Sequence, residues 1–289
     1  MNNKNLPNLV VSIFPFILLT CLRPCNTTNP SSKKPEFRGI FVFGNSILDN
    51  GNNNFLNTAL KANYLPYGID FQFGATGRFT NNKNLVDHIG DILKLPLIPA
   101  FSNPQSKGVA ISQGVNHASA GSGILDATGS NMELYNIGAR KFAFLNIGPL
   151  GCSPMARASM RNKECNEALN YAAFLFNIQL IQMLDVITTQ MPGFQSVVVN
   201  VFQITLEFIR NPSFGGFSDV SSSCCEVSEQ SGGVLCKGGG SVCSNRTSFL
   251  FFDGLHPTEA LYGIVATRAY YSNSTSEVYP FNIQRLAQV

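Results

Sequence analysis

Phe41-Val42-Phe43-Gly44-Asn45-Ser46 is an apolar run that stops at a glycine and then presents a serine. The run from Gly39 to Phe43 reads as a buried strand, and a Gly/Asn loop follows it. Outward from this point, apolar runs alternate with helical patterns. Leu85 to Leu95 has helical periodicity, Val109 to Ala118 reads as a second strand, and Lys141 to Ile147 as a third, ended by Gly148-Pro149. The clearest helix covers about Glu164 to Met191, with an apolar stripe of Leu169, Ala172, Ala173, Phe176, Leu180, Met183, Leu184 and Ile187. Ser196 to Val201 reads as a strand, Gln203 to Arg210 as a short helix, and a last helix starts with Pro257 as its first residue and runs to about Tyr271. Continuous apolar strands separated by helices predict an α/β domain with a parallel sheet covered on both faces. Reactive groups in such sheets gather at the carboxyl ends of the strands, which is where Ser46 stands.

A second stretch near the other end completes a chemical pattern. Asp253-Gly254-Leu255-His256-Pro257-Thr258-Glu259 sets an aspartate and a histidine three positions apart, just before a helix. A serine hydroxyl becomes a nucleophile when a base takes its proton and a carboxylate orients that base. Ser46-Ile47-Leu48-Asp49 is also a capping-box-like pattern, so a plain helix cap competes for Ser46. The chain has only 3 histidines. His88 reads as a helix-surface residue and His117 as a packed one, which leaves His256 for the base.

Charged residues make up only 13 % of the 289 residues, and the net charge is +3 without a basic stripe, so there is no electrostatic footprint for nucleic acid. Residues 1–25 read as a secretory signal: Lys4 precedes a short apolar stretch, Leu9 to Leu19, interrupted by Pro15. A disordered apolar tail is the competing reading. The stretch is shorter than the ~20 apolar residues of a membrane span, and no integral membrane segment is expected. Residues 26–37 form a polar linker, and 38–289 one domain. Cys152, Cys165, Cys224, Cys225, Cys236 and Cys243 lie beyond the signal. Cys152 with Cys165 makes a plausible local loop, while the other four crowd a Gly/Ser-rich stretch whose connectivity stays open. No C-x-x-C spacing supports a zinc site, so disulfides are expected. Asn245, Asn273 and Asn26 each start an N-glycosylation triplet.

At this point the chain resembles the plant GDSL-type esterase/lipases of the SGNH hydrolase superfamily, over roughly residues 38–289. The resemblance rests on residues 41–54, on Tyr64-Leu65-Pro66-Tyr67-Gly68 with Gly77-Arg78-Phe79, and on the block from Gly114 to Leu125. Further along it rests on the block from Leu134 to Phe142, on Gly148-Pro149-Leu150-Gly151-Cys152, and on Asp253 to Glu259. It implies a three-layer, flavodoxin-like SGNH fold and a secreted, extracellular serine esterase or lipase that hydrolyses small-molecule or lipid esters through an acyl-enzyme, without metal or organic cofactor. It assigns Ser46 as nucleophile, His256 as general base and later acid, and Asp253 as the group orienting His256. The oxyanion hole would use the Ser46 amide and a glycine amide, Gly121 or alternatively Gly123; a plain tight turn is the competing reading of either glycine.

Two departures from the family pattern stand out. Asn45 replaces the aspartate of the family's Gly-Asp-Ser motif. The third block, whose asparagine supplies another oxyanion donor, is absent: Gly129-Ser130-Asn131 runs straight into Met132-Glu133-Leu134, and no Asn-Asp dipeptide occurs anywhere. The expected sheet therefore lacks a central strand. An extracellular acyltransferase and a catalytically impaired binding protein are the alternative functions.

Overall fold

The computed structural model describes residues 16–19, 37–123, 131–136 and 138–289. One mixed sheet positions the site. Its strands in chain order are β1 (Phe16–Leu19), β2 (Ile40–Phe43), β3 (Gly114–Asn116), β4 (Lys141–Leu145), β5 (Gln195–Val199) and β8 (Val278–Tyr279). Their spatial order is β3-β2-β1-β4-β5-β8. β2 pairs with β3, and β4 with β5, in parallel, as the apolar runs predict. β8 adds an antiparallel edge to β5.

The central position is the main correction to the expected parallel sheet. The place between β2 and β4 is taken by β1, drawn from the apolar N-terminal stretch and antiparallel to both neighbours. Phe16 pairs with Phe43 and Phe144, and Leu19 with Ile40 and Lys141. The physical reason is backbone satisfaction: two buried strands facing an empty lane would leave rows of unpaired N–H and C=O groups.

Helices α1 (Leu85–Ile92), α2 (Asn131–Asn136), α3 (Pro154–Ala158), α4 (Glu167–Gln190), α5 (Val201–Arg210), α6 (Glu259–Tyr271) and α7 (Ile283–Gln288) complete a three-layer α/β arrangement. α1 starts where Asn84 accepts from the Val86 and Asp87 amides while Asp87 accepts from the Asn84 amide, a capping box. It packs on α6, and both close over the core of Ile40, Val42, Val197, Val199, Leu261 and Val265. A separate small sheet pairs β6 (Asp219–Ser223) with β7 (Phe249–Phe251).

Several local expectations shift. Val109 to Ala118 is a single helical turn at Gly108–Ile111 followed by the short β3. α4 begins at Glu167, because Cys165 is tied to Cys152 and Asn166 caps the helix by accepting from the Leu169 amide. Of its expected stripe only Ala173, Leu180 and Leu184 are buried, while Leu169 and Met183 are exposed. Asn170 and Asn177 take the inward places, since they satisfy backbone that the 147–151 turn leaves open: Asn177 bonds both the amide and the carbonyl of Ile147, and Asn170 accepts from Gly151. α4 is long and apolar enough to cross a membrane by length and composition alone. α6 begins at Glu259 rather than at Pro257, with Thr258 as its N-cap position and the Thr258 hydroxyl donating to the Phe249 carbonyl at 2.7 Å.

All six cysteines of the domain pair: Cys152–Cys165, Cys224–Cys243 and Cys225–Cys236. The first is the local loop expected from spacing, and the pairing leaves none of these six as a thiolate for zinc. Asn245 and Asn273 are exposed; Asn26 lies outside the described residues.

Candidate active site

Ser46 and the Asp253–His256 segment lie 210 positions apart in sequence and meet above the carboxyl end of β2. His256 Nε2 is 2.8 Å from the Ser46 hydroxyl, and His256 Nδ1 is 2.8 Å from one oxygen of Asp253 and 3.0 Å from the other. With the imidazole neutral and its proton on Nδ1, Nε2 is free to accept the hydroxyl proton. Asp253 is fully buried and His256 is 2 % exposed, so the ring's contact with Asp253 is shielded from water, while the half-buried Ser46 closes the other side of the ring.

Four donors converge on the Asp253 carboxylate and fix its plane. The Leu255 and His256 amides donate to Oδ1 at 2.8 and 2.7 Å, an Asx-type turn that the local Asp-Gly-Leu-His sequence builds by itself. Tyr67 donates its hydroxyl to Oδ2 at 2.7 Å beside the imidazole. Burial, and then the Asp253 charge, push the Tyr67 hydroxyl well above its ordinary range, so it stays protonated and donates. The Tyr67 oxygen in turn accepts from the Cys236 amide at 3.0 Å, and Tyr64 donates to the Cys236 carbonyl at 2.9 Å. The Cys225–Cys236 disulfide thus anchors the far end of a hydrogen-bonded series running through Tyr67, Asp253 and His256 to Ser46. Gly254 is needed in that loop because a Cβ there would lie 1.8 Å from the Gly233 carbonyl oxygen.

Other side chains hold the loop from beneath. Phe79 lies 5.0 Å from the His256 ring, and its neighbour Arg78 is clamped in two bonds by buried Asp87. Thr80 donates to the Pro257 carbonyl, and Asn81 accepts from the Glu259 amide.

The loop after β3, which carries Gly121, is stitched to the loop after β2. Asn52 donates to the Asn116 and Ala118 carbonyls, Asn53 donates to the Ala120 carbonyl and accepts from Ser119, and Asp49 accepts from the Ala120 amide at 3.0 Å. Gly121 is exposed and has a positive φ of 89°, a conformation that favours glycine. Among the described residues, neither its amide nor that of Ser46 has a hydrogen-bond acceptor, which is the condition for an amide that is to meet a developing oxyanion. Asn45 accepts from the Ile47 amide at 3.2 Å, a bond that an aspartate would also accept.

Asp49 carries a pH prediction. Burial pushes its carboxyl up to about 6, against the amides of Gly51, Ala120 and Asn52, which pull it down. A folded-state value above the ordinary 3.8 means that folding favours the protonated form; the stability it contributes is full at low pH and is lost as pH rises through about 6. The unfolding free energy of the wild type relative to Asp49→Asn should fall by about 3 kcal/mol between about pH 3.5 and about pH 7, since each tenfold difference in proton affinity between the folded and unfolded chain is worth roughly 1.4 kcal/mol. Denaturant melts across that range check it; parallel curves would contradict it.

The other two histidines do not join the site. His117 is packed between Phe43 and Phe101, and burial pushes its ring down to about 4. His88 is not a free surface residue: it is wedged between α1 and α6 with Nε2 lacking a hydrogen-bond partner, 3.6 Å from Glu259. Among the described residues, no cluster of three or more metal-ligating side chains is present.

Comparison with known proteins gives a consistent picture. The family model of GDSL-like lipases and acylhydrolases matches residues 40–269. One GDSL esterase/lipase of Arabidopsis thaliana is 30% identical, covering 86% of this chain and 92% of its own. A second is 32% identical over 88% of each, and a third is 28% identical over 98% of this chain and 99% of its own. That third alignment spans 374 positions against a chain of 289 residues, so at least 85 positions of the relative have no counterpart here. The absence of the third block agrees with that shortfall.

Proposed function

Because the chain belongs to the family of GDSL-like lipases and acylhydrolases, and so to the carboxylic ester hydrolases, we propose that it is a secreted serine esterase whose nucleophile is Ser46. The observation that carries this reading is the unbroken series Ser46 hydroxyl, His256 imidazole, Asp253 carboxylate, with contacts of 2.8 Å on both sides of the ring.

His256 Nε2 takes the proton as the Ser46 oxygen bonds to the ester carbonyl carbon. The carbonyl oxygen gains the negative charge and is met by the amides of Ser46 and Gly121. Collapse of the tetrahedral intermediate expels the alcohol, which leaves with the proton held on His256. Water then enters by the same route: His256 takes its proton, the hydroxide attacks the acyl-enzyme, and the acid departs as Ser46 regains its proton. Asp253 remains an anion throughout and stabilises the imidazolium.

With the third-block asparagine absent, two donors do the work that relatives share among three. Loss of one such donor typically lowers kcat by ~10²–10³-fold, so slow turnover is consistent with the reading. Three disulfides and exposed Asn245 and Asn273 support export to an oxidising compartment.

The test is p-nitrophenyl butyrate. Release of p-nitrophenol with an initial burst matching the enzyme concentration is expected, and a folded chain that releases none would overturn the proposal. Tyr67→Phe should lower kcat about tenfold with little change in KM, because it strips one donor from Asp253 and leaves the buried Cys236 amide unpaired. Steady-state kinetics with the same ester check this, and a wild-type kcat would remove Tyr67 from the relay.

A further inference from the structure

The amides of Ser46 and Gly121 leave the oxyanion one donor short of the three that the family uses. A side chain next to the nucleophile has a donor to offer. Asn45 is half-buried, and its Oδ1 accepts from the Ile47 amide at 3.2 Å, which fixes which end of the carboxamide is the NH₂. Asn45 Nδ2 has no acceptor among the described residues. The described side-chain polar atoms that are both sealed from solvent and unpaired are Asn54 Oδ1, His88 Nε2 and the Tyr262 hydroxyl. Asn45 Nδ2 is not one of them, so it is unpaired and open to an incoming molecule.

Its position suits the reacting carbonyl. Asn45 lines a mostly apolar cavity of about 200 Å³, together with Leu145 at the carboxyl end of β4 and with Leu255 and Pro257 on either side of His256. Gly121 follows β3, which lies on the other side of β2 from β4, so the two approach Ser46 from opposite sides. Five covalent bonds separate Asn45 Nδ2 from the Ser46 amide nitrogen, which keeps them within about 6 Å in any rotamer. An oxygen about 2.9 Å from each is enough to bridge them.

We propose that Asn45 is a catalytic residue of this chain, its side-chain NH₂ serving as a third oxyanion donor in place of the absent third-block asparagine. The inference rests on the esterase reading above and adds a residue to its site. As the Ser46 oxygen bonds to the carbonyl carbon, the carbonyl π pair moves onto the oxygen, which then accepts from the Ser46 and Gly121 amides and from Asn45 Nδ2. The two departures from the family pattern thus become one. An ionised aspartate at position 45 has no proton to give, and an asparagine there supplies the donor that the lost block no longer brings. The apolar walls strengthen the contact, because a charge developing away from water is less screened.

The experiment measures p-nitrophenyl butyrate turnover by Asn45→Asp and Asn45→Ala beside the wild type. Asn45→Asp restores the family's own residue, keeps an acceptor for the Ile47 amide and loses the donor. Asn45→Ala loses the donor without adding a charge. Each should lower kcat about 10²-fold with little change in KM, because the contact forms only as the oxyanion develops. Far-UV circular dichroism checks that both variants fold. A loss in Asn45→Ala alone would make Asn45 a brace for Ile47, and a loss in Asn45→Asp alone would make the effect one of charge. Either result, or wild-type rates in both, overturns the inference. Butylboronic acid reads the site without turnover: its boron bonds to the Ser46 oxygen as His256 takes the proton, and the tetrahedral anion presents a boron-bound oxygen to the same donors. By isothermal titration calorimetry the wild type should bind it at least about tenfold tighter than either variant. That preference in a wild type that hydrolyses no ester would refute the esterase reading and keep Asn45 as a donor. Equal affinities, or no binding by any of the three, overturn the donor role.

Discussion

Ser46→Ala should lower kcat for p-nitrophenyl butyrate by at least about 10⁴-fold and eliminate the burst, because the residual rate then comes only from binding and the oxyanion donors. The Ser46 hydroxyl bonds to His256 and the residue is only half-buried, so the variant should melt within about 0.5 kcal/mol of the wild type. The two measurements together separate chemistry from folding. A variant that kept a tenth of the activity would mean that another nucleophile or a bound water does the work.

Asp253→Asn should cost about as much by a different route, near 10⁴-fold in kcat. The amide oxygen would face the Leu255 and His256 amides, which leaves its NH₂ at the place where Oδ2 now accepts from Tyr67 and His256. Two donors would then confront the NH₂. The imidazole answers by moving its proton from Nδ1 to Nε2, where it meets the Ser46 hydroxyl and blocks proton abstraction. The Tyr67 hydroxyl, unable to turn to solvent, is stranded, so a stability loss of about 1–3 kcal/mol should accompany the kinetic one. Steady-state kinetics and denaturant melts check both parts. A small kinetic effect with a large stability loss would make Asp253 a structural residue only.

The core of this site was readable because its signals are local. Gly44-Asn45-Ser46 ends a strand, and Asp253 to Pro257 writes its own turn, so residue type and spacing carry most of the geometry. What was not readable depends on distant partners. Tyr67 stood inside a motif, yet its meaning comes from Asp253, 186 positions away. Asn170 and Asn177 face inward because the 147–151 backbone gives them groups to satisfy, which helical periodicity alone does not reveal. His88 looked exposed because only its own helix was visible, and α6 is what covers it. β6 is the polar Asp219–Ser223, which has no hydrophobic alternation to mark it, and β7 is an apolar run of only three residues, Phe249–Phe251.

The centre of the sheet is the sharpest case. Leu9 to Leu19 carries the composition of an export leader, and nothing in that composition announces a strand. The pairing of Phe16–Leu19 with β2 and β4 follows from the open lane in the middle of the sheet, a property of the whole fold. The same short segment thus has two claims on it. Cleavage as a leader would return the facing edges of β2 and β4 to an unpaired state, with the backbone cost that this carries.

The most direct test of the central claim is covalent labelling of the folded chain with a p-nitrophenyl alkylphosphonate, followed by peptide mass spectrometry. One phosphonate per chain is expected, placed on Ser46, with labelling lost in His256→Ala because the hydroxyl then has no base. A folded chain that stays unlabelled, or that carries the phosphonate on a different residue, would contradict it.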